Sequence, residues 1–343
     1  IVKAVSGGPP DDDWQFEFSG DLGGFSLSRD DPDALFLYLE PGSYNLSEAV
    51  ADGYTTSILC DNGVGDTGRD LSITLAAGDD VVCTFTNTFI PPAVPIYLSP
   101  TGTGTVAGMA FTGADILSYV KATNTWDVLY DGSSVLTPKN IGAFAFEGDD
   151  ILIGFSIAQL INGVGTFAPQ DLARFTPTSL GYNNTAGSFT WLFDGSDVGL
   201  STGAEKIDAL DALSDGRLLI SPTGNASVPL GGGMQQKVSD EDLLALTPTA
   251  TGANSSGTWA LHFDGSAVPG LGREDVVGAH LDEVSGALYL VLIDGFNVGT
   301  PPVQGIGRDI LKLSPNGGGF DVTRFWRGSD NAFSPKLQGV DID

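Results

Sequence analysis

The feature that most constrains the fold is an internal repeat over residues 96–343. Its marker reads Tyr130-Asp131-Gly132-Ser133, Phe193-Asp194-Gly195-Ser196, Phe263-Asp264-Gly265-Ser266 and Trp326-Arg327-Gly328-Ser329, at spacings of 63, 70 and 63 residues. A strand pattern precedes each marker, at 115–120, 171–176, 242–247 and 309–314. Another follows at 141–146, 206–213, 276–281 and 339–343. A further strand comes at 151–156, 217–224 and 287–292, and the last copy lacks it because the sequence stops at Asp343. The missing strand stands at the other end, where Ile96-Tyr97-Leu98-Ser99-Pro100-Thr101-Gly102 matches Leu218-Leu219-Ile220-Ser221-Pro222-Thr223-Gly224. A repeat permuted in this way closes a ring of four-stranded units, each burying its apolar face on the next. The expectation is a four-bladed β-propeller over 96–343, closed by pairing of its N- and C-terminal strands. Two packed sheets would not require the permutation.

Residues 1–90 differ in texture. Short alternating runs at Trp14–Phe18, Leu35–Leu39, Ser43–Ser47 and Val81–Phe85 predict half-buried strands, about seven in all, and hence a β-sandwich. Ile90-Pro91-Pro92-Ala93-Val94-Pro95 then reads as a stiff linker over 91–95, since proline cannot donate to a sheet ladder. The chain is therefore expected to be all-β throughout, and its 47 glycines and 19 prolines argue against long helices.

Charge and cysteine content bound the setting. With 15 basic against 43 acidic side chains the net charge is −28, which repels nucleic acid and anionic membranes. No apolar run is long enough for a membrane span. The chain opens at Ile1-Val2-Lys3 without methionine or leader, as expected of a processed product. Cys60 and Cys83, on neighbouring predicted strands, suggest a disulfide and an oxidising compartment, against the alternative of two buried thiols.

The first segment resembles the SpaA/Cna-B-like, prealbumin-type modules of bacterial surface proteins. The resemblance covers about 90 residues and rests on Leu39-Glu40-Pro41-Gly42-Ser43-Tyr44-Asn45-Leu46-Ser47-Glu48 and on Cys83-Thr84-Phe85-Thr86-Asn87-Thr88. In many such modules a first-strand lysine forms an isopeptide bond with a last-strand asparagine, promoted by a buried acid. The resemblance assigns these roles to Lys3, Asn87 and Glu48. A Lys3–Glu48 ion pair beside an ordinary Asn87 is the other reading.

The repeats are similar to those of secreted bacterial propellers, a likeness that specifies fold more than function. Propellers of the hemopexin type hold ions along a central channel. Asp208 and Asp341 are read as equivalent inner-strand positions, Gly142 and Gly278 standing in the other copies, so the pair would either bind calcium or be hydrated. No other cofactor is expected. The Asp-Gly-Ser markers are read as strand-ending turns rather than metal ligands, the fourth having Arg327 in place of Asp. The acidic runs Asp11-Asp12-Asp13 and Asp30-Asp31-Pro32-Asp33 are read as solvated turns, lacking EF-hand spacing.

No catalytic motif is present, and the two histidines, His262 and His280, both fall on predicted strands. The expected function is that of a non-catalytic, secreted or cell-surface structural protein of a bacterium, forming a homo-oligomer or filament. The apolar strand Ile1, Val2, Lys3, Ala4, Val5 would complete its own sandwich or pair with a neighbour's edge. The alternative is an adhesin or lectin-like module that binds carbohydrate or another surface ligand through loops Ile157–Gln170 and Asn225–Glu241.

Overall fold

The computed structural model describes residues 1–6, 15–28, 31–49, 54–89, 94–137, 139–231, 233, 235–331 and 333–342. The described residues are strands, turns and short 3-10 segments, with no α-helix among them and none long and apolar enough to cross a membrane. The chain divides into two compact units, Ile1–Pro92 and Ala93–Asp343. Of the expected linker, 91–93 lie outside the described residues. Pro95 opens a strand, where a missing N–H is tolerated.

The first unit has strands β1 (Val2–Ser6), β2 (Phe16–Gly20), β3 (Phe25–Leu27), β4 (Gly42–Glu48), β5 (Tyr54–Cys60), β6 (Gly65–Asp66), β7 (Asp70–Leu75) and β8 (Cys83–Phe89). They form two four-stranded sheets, in the orders β1-β8-β5-β6 and β3-β2-β4-β7. Period-two alternation turns Phe16, Phe18, Leu46, Ile58, Leu71, Ile73 and Phe85 into one shared core. The expected strand at Leu35–Leu39 is not formed. Leu35, Leu37 and Tyr38 are 77%, 62% and 99% exposed, because the run finds no ladder partner and Tyr38 turns the backbone to φ 58°. Trp14 lies outside the described residues.

β1 is spent within its own sheet. It runs parallel to β8, with Val2 opposite Thr84 and Val5 opposite Asn87. Its outer edge is covered at its start: Lys3 N–H donates to the Pro32 carbonyl (2.5 Å) and Ala34 N–H to the Ile1 carbonyl (2.9 Å). Of the two alternatives expected for Ile1–Val5, this chain shows the first, a strand within its own sheet.

The second unit holds four antiparallel four-stranded sheets. Their lead strands are Leu337–Ile342, Ile141–Glu147, Ile207–Ala212 and Val276–Asp282. In one sheet the C-terminal Leu337–Ile342 pairs with β9 (Pro95–Pro100), Val340 opposite Leu98. The lead strands pack each against the next and the last against the first. Glycines permit this approach: a Cβ on Gly278 would lie 3.0 Å from Gly339 Cα, and one on Gly339 would meet the Phe144 ring at 2.8 Å. Each sheet also has a two-stranded hairpin. Two of these, Gln159–Ile161 with Gly165–Phe167 and Ala226–Pro229 with Gln235–Val238, occupy stretches expected to be long ligand-binding loops. Phe167 is fully buried and stacked on Trp191 at 4.1 Å, so it presents no ring to a sugar.

The repeat marker is a locking turn. Asp131, Asp194 and Asp264 each accept from the backbone N–H and hydroxyl of the serine two residues on. The marker glycines then receive a second aspartate, one that opens the preceding strand of each repeat. Gly132, Gly195, Gly265 and Gly328 N–H donate to Asp115, Asp171, Asp242 and Asp309 at 2.9–3.3 Å. Any Cβ at Gly195 would sit 2.3 Å from the Gln170 carbonyl, so glycine is required by contact.

Candidate functional site

In the first unit the parallel β1–β8 pairing sets Lys3 two residues out of register with Asn87, and β4 brings Glu48 between them. Lys3 Nζ donates to Glu48 Oε1 at 2.7 Å, and Asn87 Nδ2 donates to the same oxygen at 2.9 Å. All three are buried, Glu48 and Asn87 completely. The Lys3 ammonium lies 4.0 Å from the Phe16 ring centroid and 6.0 Å from that of Phe18. Burial in this apolar shell draws the lysine below its ordinary pKa, against the opposing pull of Glu48. Glu48 Oε2 and Asn87 Oδ1 have no hydrogen-bond partner. A carboxylate touching both an amine and an amide nitrogen is placed to move a proton between them. At the other end of β8, Cys83 is opposite Cys60 on β5, and the two form a disulfide.

In the second unit the structure separates the two aspartates that the sequence pairs. Each lead strand slips by one residue against its neighbour, at Ile141/Ala143, Ile207/Ala209, Val276/Gly278 and Leu337/Gly339. Counted from this bulge, Asp341 is level with Asp211, His280 and Ala145. Asp208 is level with Gly142, Val277 and Gln338, three residues or about 10 Å earlier along the strand. Asp208 and Asp341 are therefore not equivalent and share no common site. The sequence comparison set the two lead strands three residues out of step, pairing Asp341 with Asp208 where Asp211 belongs.

Asp341 instead joins His280 and Asp211. His280 Nδ1 lies 3.2 Å from Asp341 Oδ1 and 3.6 Å from Asp211 Oδ1. The outer carboxylate oxygens are tied down by neighbouring sheets: Leu281 N–H donates to Asp211 Oδ2 (2.7 Å) and Phe146 N–H to Asp341 Oδ2 (3.2 Å). Burial alone would lower the imidazole pKa, but the two flanking carboxylates outweigh it and hold it up at about 10. Asp341 is raised by burial, with the His280 charge opposing.

Asp208 has its own partners. It faces Asp275, and neither Oδ1 has a hydrogen-bond donor. Burial and then the charge of Asp240 push Asp275 up to about 7, while burial and Asp275 drive Asp208 well above the carboxylate range. Two carboxyl groups so placed share a proton at neutral pH.

Sequence reasoning missed His280, Asp211 and Asp275. A signal was available, because Asp211, His280 and Asp341 are each the fourth residue after Ile207, Val276 and Leu337, the residues at which the four lead strands align. Asp31 and Asp33 belong to no cluster of metal-type ligands among the described residues. Asp11, Asp12, Asp13 and Asp30 lie outside them.

No family model matches the sequence, and no curated protein matches it. Among solved structures the chain is similar to the extracellular domain of the one-component system BT4673 from B. thetaiotaomicron, at 11% identity and a TM-score of 0.26, covering 91% of this chain and 38% of that one. A second structure, of the extracellular domain of the hybrid two-component system BT4673 from B. thetaiotaomicron, is 12% identical with a TM-score of 0.26, covering 85% and 39%. The chain thus spans well under half the length of the structures it matches, and a likeness of this degree carries no functional argument.

Proposed function

We propose that this chain is a non-catalytic extracellular structural protein of a bacterium, a self-assembling surface or filament subunit. In this reading the first unit is a SpaA/Cna-B-like β-sandwich carrying an intramolecular Lys3–Asn87 isopeptide bond. The second is a four-bladed β-propeller closed by its first and last strands. The buried Lys3–Glu48–Asn87 constellation carries the proposal, and the disulfide supports an oxidising location.

The chemistry follows from burial. A charged Lys3–Glu48 pair in an apolar shell loses several kcal/mol of hydration per ion, which favours proton transfer to give a neutral amine and a carboxylic acid. The Lys3 Nζ lone pair then attacks Asn87 Cγ while Glu48 donates its proton to the amide oxygen. Glu48 next takes a proton from Nζ and passes it to Nδ2. The Cγ–Nδ2 bond breaks, ammonia leaves, the proton on the former amide oxygen returns to Glu48, and an amide joins Lys3 to Asn87. Such a bond and the disulfide both restrain β8, one near each end, which suits a module under mechanical load.

The test is the intact mass of the whole chain, reduced, beside that of Glu48→Gln. Wild type should be lighter than its sequence by one ammonia and the variant should have full mass. Full mass in wild type would refute the crosslink. Negative-stain microscopy of native material reads the assembly: filaments are expected, and dispersed monomers would refute the subunit role while leaving the mass result standing.

A further inference from the structure

We propose that Asp211, His280 and Asp341 form a binding site for one divalent transition metal of the zinc type, held by an imidazole nitrogen and two carboxylates, with a further position left to water. The three side chains come from one level of three consecutive lead strands, so the ring of sheets itself assembles the donor set. Among the described residues this is the one group of three or more His, Cys, Asp or Glu whose ligand atoms all lie within 4.8 Å of one another.

Four observations support a metal rather than a plain ion pair. First, His280 Nδ1 is buried and makes no hydrogen bond, although two carboxylate oxygens lie at 3.2 and 3.6 Å. Donors around a tetrahedral centre with bonds near 2.0–2.2 Å are spaced by roughly 3.3–3.5 Å, which these separations bracket. Second, the outer oxygens of Asp211 and Asp341 are anchored by backbone N–H groups of adjacent sheets, while each Oδ1 faces His280, that of Asp211 also accepting from Ala212 N–H at 3.0 Å. Outer-sphere support of this kind orients ligands before the metal arrives. Third, the side chains are nearly but not fully enclosed, His280 being 16% exposed and Asp341 10%, so an ion has a way in. Fourth, the fourth lead strand places Ala145 at this level, which contributes no donor and leaves a position open.

The donor types select the ion. Calcium takes six to eight oxygens and magnesium keeps an all-oxygen octahedron, whereas one nitrogen and two carboxylates suit zinc, cobalt or nickel. The site thus differs from the calcium pair expected at Asp208 and Asp341 in both ligands and metal. It is independent of the isopeptide reading, since it lies wholly in the second unit.

Cobalt(II) is the probe. The full chain is stripped with chelator, dialysed, and titrated with cobalt chloride while visible absorption is followed. One equivalent per chain should produce the d–d bands of a four- or five-coordinate cobalt, zinc should bleach them, and excess calcium should not. His280→Gln and Asp341→Asn should each weaken binding by at least about a hundredfold. The exposed control Asp215→Asn should leave it unchanged. Because charge changes in the ring can unfold it, near-ultraviolet circular dichroism accompanies each variant, and zinc should raise the wild-type Tm. Absence of the bands in folded wild type would overturn the proposal, as would bands that persist unchanged in folded His280→Gln.

Discussion

Replacing Asp275 by Asn should stabilise the second unit, increasingly so as pH rises. Asp275 and Asp208 share one buried site in which neither Oδ1 has a donor. The folded protein holds Asp275 protonated up to about 7, whereas an unfolded aspartate ionises near 3.8. Between those values the folded state binds more protons than the unfolded state, so stability falls as pH rises. A difference of about three pH units is worth about 4 kcal/mol at 1.36 kcal/mol per unit. Water reaches Asp275, which is only partly buried, so screening reduces this to roughly 2 kcal/mol. Asparagine removes the penalty and offers Asp208 Oδ1 an N–H. The Asp275 carbonyl, which accepts from Ile293 N–H at 3.0 Å, is untouched. For a unit of this size 2 kcal/mol shifts Tm by roughly 4–8 °C. Thermal unfolding of wild type and Asp275→Asn from pH 3.5 to 8.5 is the assay. Their Tm difference should be small below 3.8, grow through the interval and level off above 7. A difference independent of pH would show that Asp275 ionises normally and would refute the shared-proton argument.

Other perturbations test the scaffold. The Cys60–Cys83 bond closes a loop of sequence separation 23, so its loss in Cys60→Ser/Cys83→Ser should cost about 3.5 kcal/mol. Hydrogen exchange in β5 and β8 should speed up accordingly, and unchanged protection would contradict this. Asp171 accepts from Ala168 N–H (2.6 Å) and Gly195 N–H (3.1 Å) while 5% exposed, so Asp171→Ala should lower stability by about 2–3 kcal/mol in urea unfolding. An equal loss in Asp264→Ala, an exposed side chain whose serine partner is local, would mean the buried bonds are not what matters. Gly278→Ala should cost roughly 1–3 kcal/mol because its Cβ meets the Gly339 and Val340 backbone, whereas Gly102→Ala meets nothing within 4 Å and should be neutral. Equal melting temperatures for these two variants would argue against close approach of the lead strands.

Much of the organisation was legible in the sequence because it is written in short periods. Alternating apolar residues mark most of the strands, and Gly-Ser at 63–70-residue intervals, preceded by Asp in three copies and Arg327 in the fourth, marks four equivalent turns. The likeness of Ile96–Gly102 to Leu218–Gly224 anticipated the pairing of β9 with Leu337–Ile342, since permuting a repeat leaves its local pattern intact. Leu35–Leu39 has the same alternation and forms no strand, because period alone does not supply a partner. The sites needed more. Lys3, Glu48 and Asn87 are 45 and 39 residues apart, so only a resemblance could group them, and only the parallel β1–β8 register brings their atoms within 3 Å. Asp211, His280 and Asp341 belong to three repeats and sit level because each is the fourth residue after the position at which its lead strand bulges. An offset of three residues is easily made in an alignment, yet it moves a side chain about 10 Å along a strand and, being odd, to its opposite face. That is why the sequence paired Asp208 with Asp341, while the packed ring gave each of them different partners.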